Sequence, residues 1–238
     1  MGINTICTHA GNITDEQFQG AVSPMYLSSS YAYTEVDVKR YPRYFNTPNQ
    51  EALNIKLAAL EGTEDALVFG SGMAAVSTLF LAFLKPGDHI IMQEAIYGGT
   101  ANFAAQEFTK LGIAYTMIKT VEDASLSAAL TPATKMVYVE TPSNPKLEVV
   151  DLELVSAFAK ANKLISVVDN TFASPINQNP AVQGMDLVFH SATKYMGGHS
   201  DLAAGAVCGS KEHIAILWDS AKKLRRFVKR YDRLDAGT

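Results

Sequence analysis

The sequence predicts an α/β domain with a mostly parallel sheet flanked by helices, and two features of its hydrophobic pattern support this. Short runs rich in Ile, Val, Leu and Met alternate along the chain with longer segments of helical periodicity. Two of these runs, residues 135–140 and 164–170, are apolar almost throughout, as in strands that are covered on both faces. Strands that alternate with helices in this way are typical of βαβ units and a parallel sheet.

The predicted elements follow one another from residue 51 onward, beginning with a helix at residues 51–60. The predicted strands lie at 65–69, 89–93, 114–118, 135–140, 164–170, 186–192 and 204–210. The other predicted helices lie at 72–84, 100–112, 125–130 and 151–162. Residues 1–50 have weak periodicity and many Tyr, Ser, Pro and Asn residues, so we expect them to form an irregular, extended arm.

The composition is that of an ordinary globular protein. The 238 residues are 47% hydrophobic and 18% charged, with a net charge of −4, which argues against nucleic-acid and membrane partners. The sequence has no apolar run long enough to span a bilayer, and its start lacks the pattern of a secretory signal. Cys7 and Cys208 do not make a disulfide framework, and no metal-ligand spacing is present. We therefore expect a cytoplasmic location.

In a parallel sheet, ligands bind beyond the carboxyl ends of the strands, so the residues that follow each predicted strand are candidate site residues. The first strand ends in "GSGM", which contains Ser71, Gly72 and Met73 and leads directly into a helix. Such a helix start can bind a phosphate, but a simple tight turn would have the same sequence. Tyr97, after the second strand, is either a platform for a planar ring or an ordinary half-buried tyrosine.

Polar residues also follow the later strands. The rigid loop "TPSNP" would present Ser143 and Asn144 to a ligand. Asp169 closes an apolar strand, where a carboxylate needs a partner such as a cationic ring nitrogen, a lysine or a helix cap. The motif "HSATK" then supplies Ser191, Thr193 and Lys194.

These strand ends together supply a phosphate site, an aromatic platform, a carboxylate, hydroxyls and one lysine. That set fits pyridoxal phosphate, which needs a lysine for its aldehyde, a carboxylate for its ring nitrogen, and a helix start with hydroxyls for its phosphate. The alternative is a doubly wound protein whose strand-end residues are unrelated to one another.

The motifs "YPRYFNTPN", "GSGMAA", "YGGT", "ETPSNP", "VVDNTF" and "SATKYMGGHSD" carry a more specific likeness. Through them, the chain resembles the Cys/Met-metabolism (transsulfuration) family of pyridoxal-phosphate-dependent enzymes, over about residues 5–222. The family includes cystathionine γ-synthases, cystathionine lyases, O-acetylhomoserine sulfhydrylases and methionine γ-lyases. The resemblance implies an aspartate-aminotransferase-like (fold type I) domain and β- or γ-elimination or γ-replacement on sulfur amino acids or activated homoserine.

The resemblance also implies roles for the residues around the cofactor ring. Lys194 would bind the cofactor aldehyde covalently and later move the proton. Asp169 would pair with the ring nitrogen, and Asn144 would lie near the ring hydroxyl. Tyr97 would stack on the ring and assist proton transfer.

The cofactor phosphate would be held by residues from two strand ends, namely Ser71, Gly72, Met73, Ser191 and Thr193. By the same resemblance, Tyr41 and Arg43 would reach the phosphate of a neighbouring subunit. Arginine suits this contact because its guanidinium binds phosphate with two donors. The implied assembly is a homotetramer built from two dimers that share active sites, with residues 1–50 as the arm that contacts the neighbour.

The sequence departs from the family at several points. The family commonly has "GNPT" after the Tyr-x-Arg pair, where this chain has "FNTPN". Gly99 stands where methionine γ-lyases carry a cysteine, which argues against that activity. By the resemblance, we expect residues 51–222 to form the cofactor-binding domain and the family's smaller C-terminal domain to be missing after it. Residues 223–238 are an atypical basic tail, which is explained either by a frameshift or sequencing error near residues 222–223 or by a natural short variant. A second reading is therefore a noncatalytic fragment without the family's arginine for the substrate carboxylate.

Overall fold

A computed structural model of the chain describes residues 2–228, in which seven strands form one sheet. The strands are β1 (Asp65–Phe69), β2 (His89–Gln93), β3 (Ala114–Ile118), β4 (Thr134–Glu140), β5 (Ile165–Asp169), β6 (Leu187–His190) and β7 (Gly205–Gly209). Their order across the sheet is β1-β7-β6-β5-β4-β2-β3. All seven predicted strands are present, with ends that differ from the predicted ones by at most two residues.

The sheet is mostly parallel, as predicted, and β7 is the exception. The neighbouring pairs among β3, β2, β4, β5 and β6 are parallel, whereas β7 is antiparallel to both β6 and β1. The reason lies in the connection from β6 to β7, residues 191–204, which contains turns but no helix. Parallel neighbours are usually joined by a helical crossover, whereas a connection without a helix lets the chain return in the opposite direction.

Helices cover both faces of the sheet. They are α1 (Ile3–His9), α2 (Pro48–Glu61), α3 (Gly72–Phe83), α4 (Gly98–Phe103), α5 (Asp123–Ala129), α6 (Leu152–Ala161), α7 (Ser174–Asn177) and α8 (Lys211–Val228). A π-helical turn, Ala104–Phe108, continues α4. Helix α2 begins three residues earlier than predicted because Thr47 and Gln50 form a capping box at its start. None of the described helices is both long and apolar enough to cross a membrane.

The structure differs from the predicted boundaries at both ends of the chain. Helix α1 was expected to be part of an irregular arm, yet it packs on α2, and the Lys56 ammonium donates to the Cys7 carbonyl at 3.0 Å. The irregular, exposed segment is therefore shorter, residues 12–40. At the other end, α8 runs through the predicted boundary at residue 223. The rest of the predicted basic tail, residues 229–238, lies outside the described residues.

The core lies on both faces of the sheet, which explains the continuous apolar runs of the sequence. Phe80, Met92 and Tyr138 are buried on the face covered by α3 and α8. Val137 and Val168 are buried on the opposite face, against α6. Successive residues of β4 thus enter different cores, so neither face of the strand tolerates an unpaired polar side chain.

A buried histidine joins three strands at the edge of the sheet opposite to the candidate site. His89, at the start of β2, is 4% exposed. Its Nδ1 lies 2.8 Å from the Thr134 hydroxyl of β4, and its Nε2 lies 3.0 Å from the Thr116 hydroxyl of β3. Burial lowers the pKa of His89, because a charged ring would lose its hydration there.

We predict that His89 makes the stability of the chain sensitive to acid. Its neutral form is favoured by folding, so its contribution is present above the ordinary pKa of 6.5 and is lost as the pH falls below it. In urea unfolding at several pH values, His89→Gln should flatten the slope of the unfolding free energy between about pH 5 and pH 7. His9→Gln, at an exposed position, is the control. Equal slopes for the wild type and His89→Gln would contradict the prediction.

Candidate active site

The start of α3 presents unpaired backbone donors at the carboxyl end of β1. The chain turns through Gly70 and Ser71, and the Ser71 hydroxyl caps the helix by accepting from the Ala74 amide at 3.1 Å. The amides of Gly72 and Met73 occupy the first two helical positions, so neither has an acceptor within the helix. The helix dipole adds positive potential at the same point, and the arrangement favours an anion.

Ser191, directly after β6, packs against this helix start. A Cβ built on Gly72 would lie 2.8 Å from the Ser191 hydroxyl oxygen and 3.1 Å from the Ser191 Cα. Only glycine therefore leaves the space that the helix start and Ser191 share. The structure brings together three of the residues predicted to hold a phosphate, Ser71, Gly72 and Ser191.

Thr193 and Lys194 lie in the turn that follows. The Thr193 hydroxyl donates to the Ala204 carbonyl at 3.1 Å and accepts from the Ala204 amide at 3.0 Å. These two hydrogen bonds hold the turn against the start of β7, a role of Thr193 that the sequence did not indicate. Lys194 is exposed rather than held at the end of the strand, and its ammonium makes no hydrogen bond or ion pair within residues 2–228.

Asp169 is a buried carboxylate at the end of β5, with 4% of its surface exposed. One oxygen accepts from the Thr171 amide at 2.9 Å, and the other accepts from the Tyr138 hydroxyl at a long 3.5 Å. Burial raises the pKa of Asp169, whereas hydrogen bonds from Thr171 and the charge of the nearby His190 oppose the rise. Among the described residues, it has neither a lysine partner nor a helix to cap.

Tyr97 stands just before α4, with its ring close to Gly99 and near Met73. It is 46% exposed. A Cβ on Gly99 would lie 2.4 Å from the Tyr97 Cε1 and 3.1 Å from the Met73 sulfur. A cysteine in place of Gly99 would force the tyrosine ring to move, which is a physical reason for the glycine at this position.

Glu140, at the end of β4, connects the loops of Tyr97 and Asn144, and the sequence reasoning missed it. One carboxylate oxygen accepts from the Tyr97 amide at 2.5 Å, and the other accepts from the Asn144 amide at 2.8 Å. Burial, together with the charge of Asp169, raises the pKa of Glu140 to about 7. The available signal was a carboxylate that ends an apolar strand, the same signal that singled out Asp169.

The loop after β4 was predicted to present Ser143 and Asn144 to a ligand, and the structure agrees for only one of them. The Asn144 side chain is exposed, as a residue presented to a ligand should be. Ser143 is fully buried instead, and its hydroxyl accepts from the Glu148 amide at 3.1 Å. Two prolines of this loop, Pro142 and Pro145, follow cis peptide bonds. Ser143 thus shapes the loop and does not face a ligand.

A buried pair, His190 and Glu61, lies directly before the turn that carries Lys194. His190, the last residue of β6, bonds through its Nε2 to the Glu61 carboxylate. The same carboxylate oxygen accepts from the Asn170 side chain at 2.9 Å. Glu61 is fully buried at the end of α2, so the pair joins that helix to β6 next to Ser191. Within the described residues, no group of His, Cys, Asp and Glu could hold a metal ion.

Tyr41 and Arg43 are separate from this grouping. The Arg43 guanidinium is exposed and lies 5.7 Å from the centre of the Tyr41 ring, which packs edge-on against Tyr44. Within residues 2–228, neither side chain makes a hydrogen bond or ring contact with the start of α3 or with Ser191. The chain does not bring these two residues to its own phosphate site.

We predict that Gly72→Ala destabilises the chain while Gly70→Ala does not. The added methyl group at residue 72 meets the Ser191 backbone, and overpacking of this kind costs about 1–3 kcal/mol. No atom lies within 4 Å of a Cβ at Gly70, so alanine fits there. Urea unfolding of the two variants gives the comparison. Equal stabilities would mean that the helix start and Ser191 are not in close contact.

Comparison with known proteins agrees with this geometry. A family model described as Cys/Met metabolism PLP-dependent enzyme matches residues 4–223. A probable cystathionine gamma-synthase of Herpetosiphon aurantiacus is 38% identical over 215 residues, which cover 90% of this chain and 67% of that protein. A cystathionine beta-lyase of Lactococcus lactis subsp. cremoris is 41% identical over 209 residues, which cover 87% and 55%.

Solved structures show the same fold over nearly the whole chain. The crystal structure of metB from Corynebacterium glutamicum superposes with a TM-score of 0.90 at 37% identity, covering 94% of this chain and 59% of that one. Cystathionine gamma-lyase from Lactobacillus plantarum, complexed with L-serine, gives a TM-score of 0.89 at 34% identity. The chain thus spans between about half and two thirds of the length of these relatives. It belongs to the Cys/Met-metabolism family of pyridoxal-phosphate-dependent enzymes.

Proposed function

We propose that this chain binds pyridoxal phosphate and serves a transsulfuration reaction, namely β- or γ-elimination or γ-replacement on sulfur amino acids or activated homoserine. The observation that carries the proposal is a combination of three features: an open helix start, a buried carboxylate at a strand end, and a lysine in the turn after β6. Within the described residues, the ammonium of this lysine makes no hydrogen bond or ion pair. Family membership supports the same cofactor. The relatives are named as synthases and as lyases, so the reaction is proposed at the level of this class.

The electrostatics of the site match the two charged ends of the cofactor. The amides of Gly72 and Met73 and the hydroxyl of Ser191 would hold the phosphate, at a helix start that favours an anion. Asp169 would hold the ring nitrogen. A buried carboxylate with one short hydrogen bond and one long one gains a strong partner from a protonated nitrogen, and in return it keeps that nitrogen protonated.

The remaining residues would orient the ring and move the proton. When bound, pyridoxal phosphate withdraws electrons from the α-carbon of an amino acid. Lys194 would first hold the cofactor aldehyde covalently and then, as a free amine, accept the α-proton of the substrate at its Nζ. Tyr97 would lie against the ring face and assist this transfer, and Asn144 would approach the ring hydroxyl.

A second candidate function is cofactor binding without catalysis. The chain spans 55% to 67% of the curated relatives described above. By the family resemblance, the arginine for the substrate carboxylate belongs to the smaller C-terminal domain. The two candidates agree on the cofactor and differ only in turnover, so one preparation can separate them.

We predict that borohydride treatment of the chain with pyridoxal phosphate labels Lys194. Borohydride makes the bond between the aldehyde and a lysine irreversible, and peptide mass spectrometry then locates it. Lys194→Ala should lose most of the label, and Lys160→Ala, at an exposed site on α6, should keep it. Label scattered evenly over several lysines would contradict the proposed site.

The same preparation, assayed with cystathionine, decides between the two candidates. Turnover equal to that of a length-restored chain supports the transsulfuration enzyme. Specific labelling of Lys194 without turnover supports the cofactor-binding fragment.

We also propose that the chain forms a homo-oligomer, a tetramer built from two dimers, in which residues 12–40 contact a neighbour. This segment exposes several large apolar side chains, among them Phe18, Val22, Met25 and Leu27, each more than three quarters exposed. Exposed apolar surface on this scale is typical of an interface. Arg43, which contacts only its own Tyr41 among the site residues, would then reach the phosphate of the neighbour.

We predict that a mixture of two defective chains restores cofactor labelling. Arg43→Ala should be labelled weakly at its own Lys194, and Lys194→Ala cannot be labelled there. In mixed dimers the second chain supplies Arg43 to the first, so labelling of the Arg43→Ala chain should rise. Random pairing restores about a quarter of all sites. Labelling that is independent of mixing would mean that Arg43 does not act across an interface.

A further inference from the structure

We infer that Glu140 is a positioning residue that holds the loops of Tyr97 and Asn144 as one unit against the cofactor ring. The inference rests on the proposed function, because it assigns those two loops to the ring. Under this inference, Glu140 has no direct contact with the cofactor or the substrate. It acts through two backbone amides that belong to the loops after β2 and β4.

The Glu140 carboxylate forms a clamp between the two loops, in which each of its oxygens accepts a hydrogen bond from one loop. The Tyr97 amide and the Asn144 amide each donate to a different oxygen of the Glu140 carboxylate, at 2.5 Å and 2.8 Å. The Glu140 amide in turn donates to the Gln93 side chain at 2.9 Å, which fixes the clamp to the end of β2. Glu140 is 4% exposed, so water does not offer these amides an equal alternative.

Only a carboxylate suits these two amides. A carboxylate has acceptor capacity on both oxygens, whereas a glutamine of the same shape has one acceptor oxygen and one donor nitrogen. Glu140→Gln therefore leaves one of the two loop amides facing a donor. Because the substitution preserves size, it tests the hydrogen bonds separately from packing.

The surroundings of Glu140 link the clamp to the proposed ring nitrogen. Glu140 and Asp169 are register partners in β4 and β5, and Tyr138 lies two residues earlier on β4. The charge of Asp169 acts against the ionised form of Glu140. A cation bound at Asp169 would relieve this repulsion and favour the ionised carboxylate that holds both loops. Conversely, an ionised clamp would favour the cation, since the coupling is reciprocal.

Amide hydrogen exchange on the cofactor-free chain tests the clamp directly. In Glu140→Gln, we expect the Tyr97 or the Asn144 amide to exchange about tenfold faster or more, with strand amides unchanged. Glu148→Gln is the matched control, because Glu148 belongs to the same loop but forms a half-exposed ion pair with Lys146. Wild-type exchange at both amides of a folded Glu140→Gln chain would overturn the inference.

A wild-type measurement keeps the test decisive if Glu140→Gln does not fold. Because the pKa of Glu140 is raised to about 7, protonation should remove one acceptor as the pH falls through that value. Protection of the Tyr97 and Asn144 amides, corrected for intrinsic exchange rates, should therefore be lower at about pH 6 than at about pH 8. Equal protection at both values would overturn the inference.

Cofactor binding supplies the second readout. Absorbance titration with pyridoxal phosphate should show about tenfold weaker binding by Glu140→Gln, and wild-type affinity by Glu148→Gln. Faster loop exchange with unchanged affinity would overturn the link to the cofactor. Failure of the proposed function has a different signature, since Lys194 of the wild type would then not be labelled.

Discussion

The parallel register of β4 and β5 places two buried carboxylates side by side, and the candidate site is arranged around this constraint. Glu140 and Asp169 are register partners at the same edge of the sheet. Burial raises the cost of ionising both carboxylates, and the charge of Asp169 adds to that cost for Glu140. The oxygens of the two carboxylates are hydrogen-bonded differently. Glu140 accepts short hydrogen bonds from two backbone amides, whereas Asp169 accepts one short hydrogen bond from a backbone amide and one long one from a hydroxyl. In the proposed site, Glu140 would accordingly hold the two loops, and Asp169 would pair with the cationic ring nitrogen.

At the end of the proposed site that would hold the phosphate, the protein presents positive potential, opposite in sign to that of the two carboxylates. The start of α3 offers two amides without acceptors, and Ser191 closes the space beside Gly72. A ligand with an anionic group and a cationic ring nitrogen would thus meet complementary potential at both ends. The His190–Glu61 pair, next to Ser191, joins α2 to β6 and so helps to fix the relative position of the two ends of the site.

Much of the site was predictable because strand ends are readable from hydrophobic pattern. A strand buried on both faces is a continuous apolar run, and polar residues at or just beyond its carboxyl end, such as Asp169 and Tyr97, lie at the sheet edge. The same pattern could not tell which polar groups are already engaged. Ser143 was expected to face a ligand, yet it is buried against its own loop. Thr193, which stays predicted to hold the phosphate, also bonds to the start of β7.

The sequence by itself determined the strands, most helices, the edge of the sheet that carries the polar residues, and the family, because each depends on local spacing or on a short motif. Only the tertiary structure decided the antiparallel direction of β7, the packing of α1 on α2 and the double hydrogen bond of Glu140. These features join segments that are far apart in the chain: Glu140 meets Tyr97, 43 residues earlier, and Glu61 meets His190, 129 residues later. Such pairings follow from how the strands are ordered in the sheet, which local pattern does not encode.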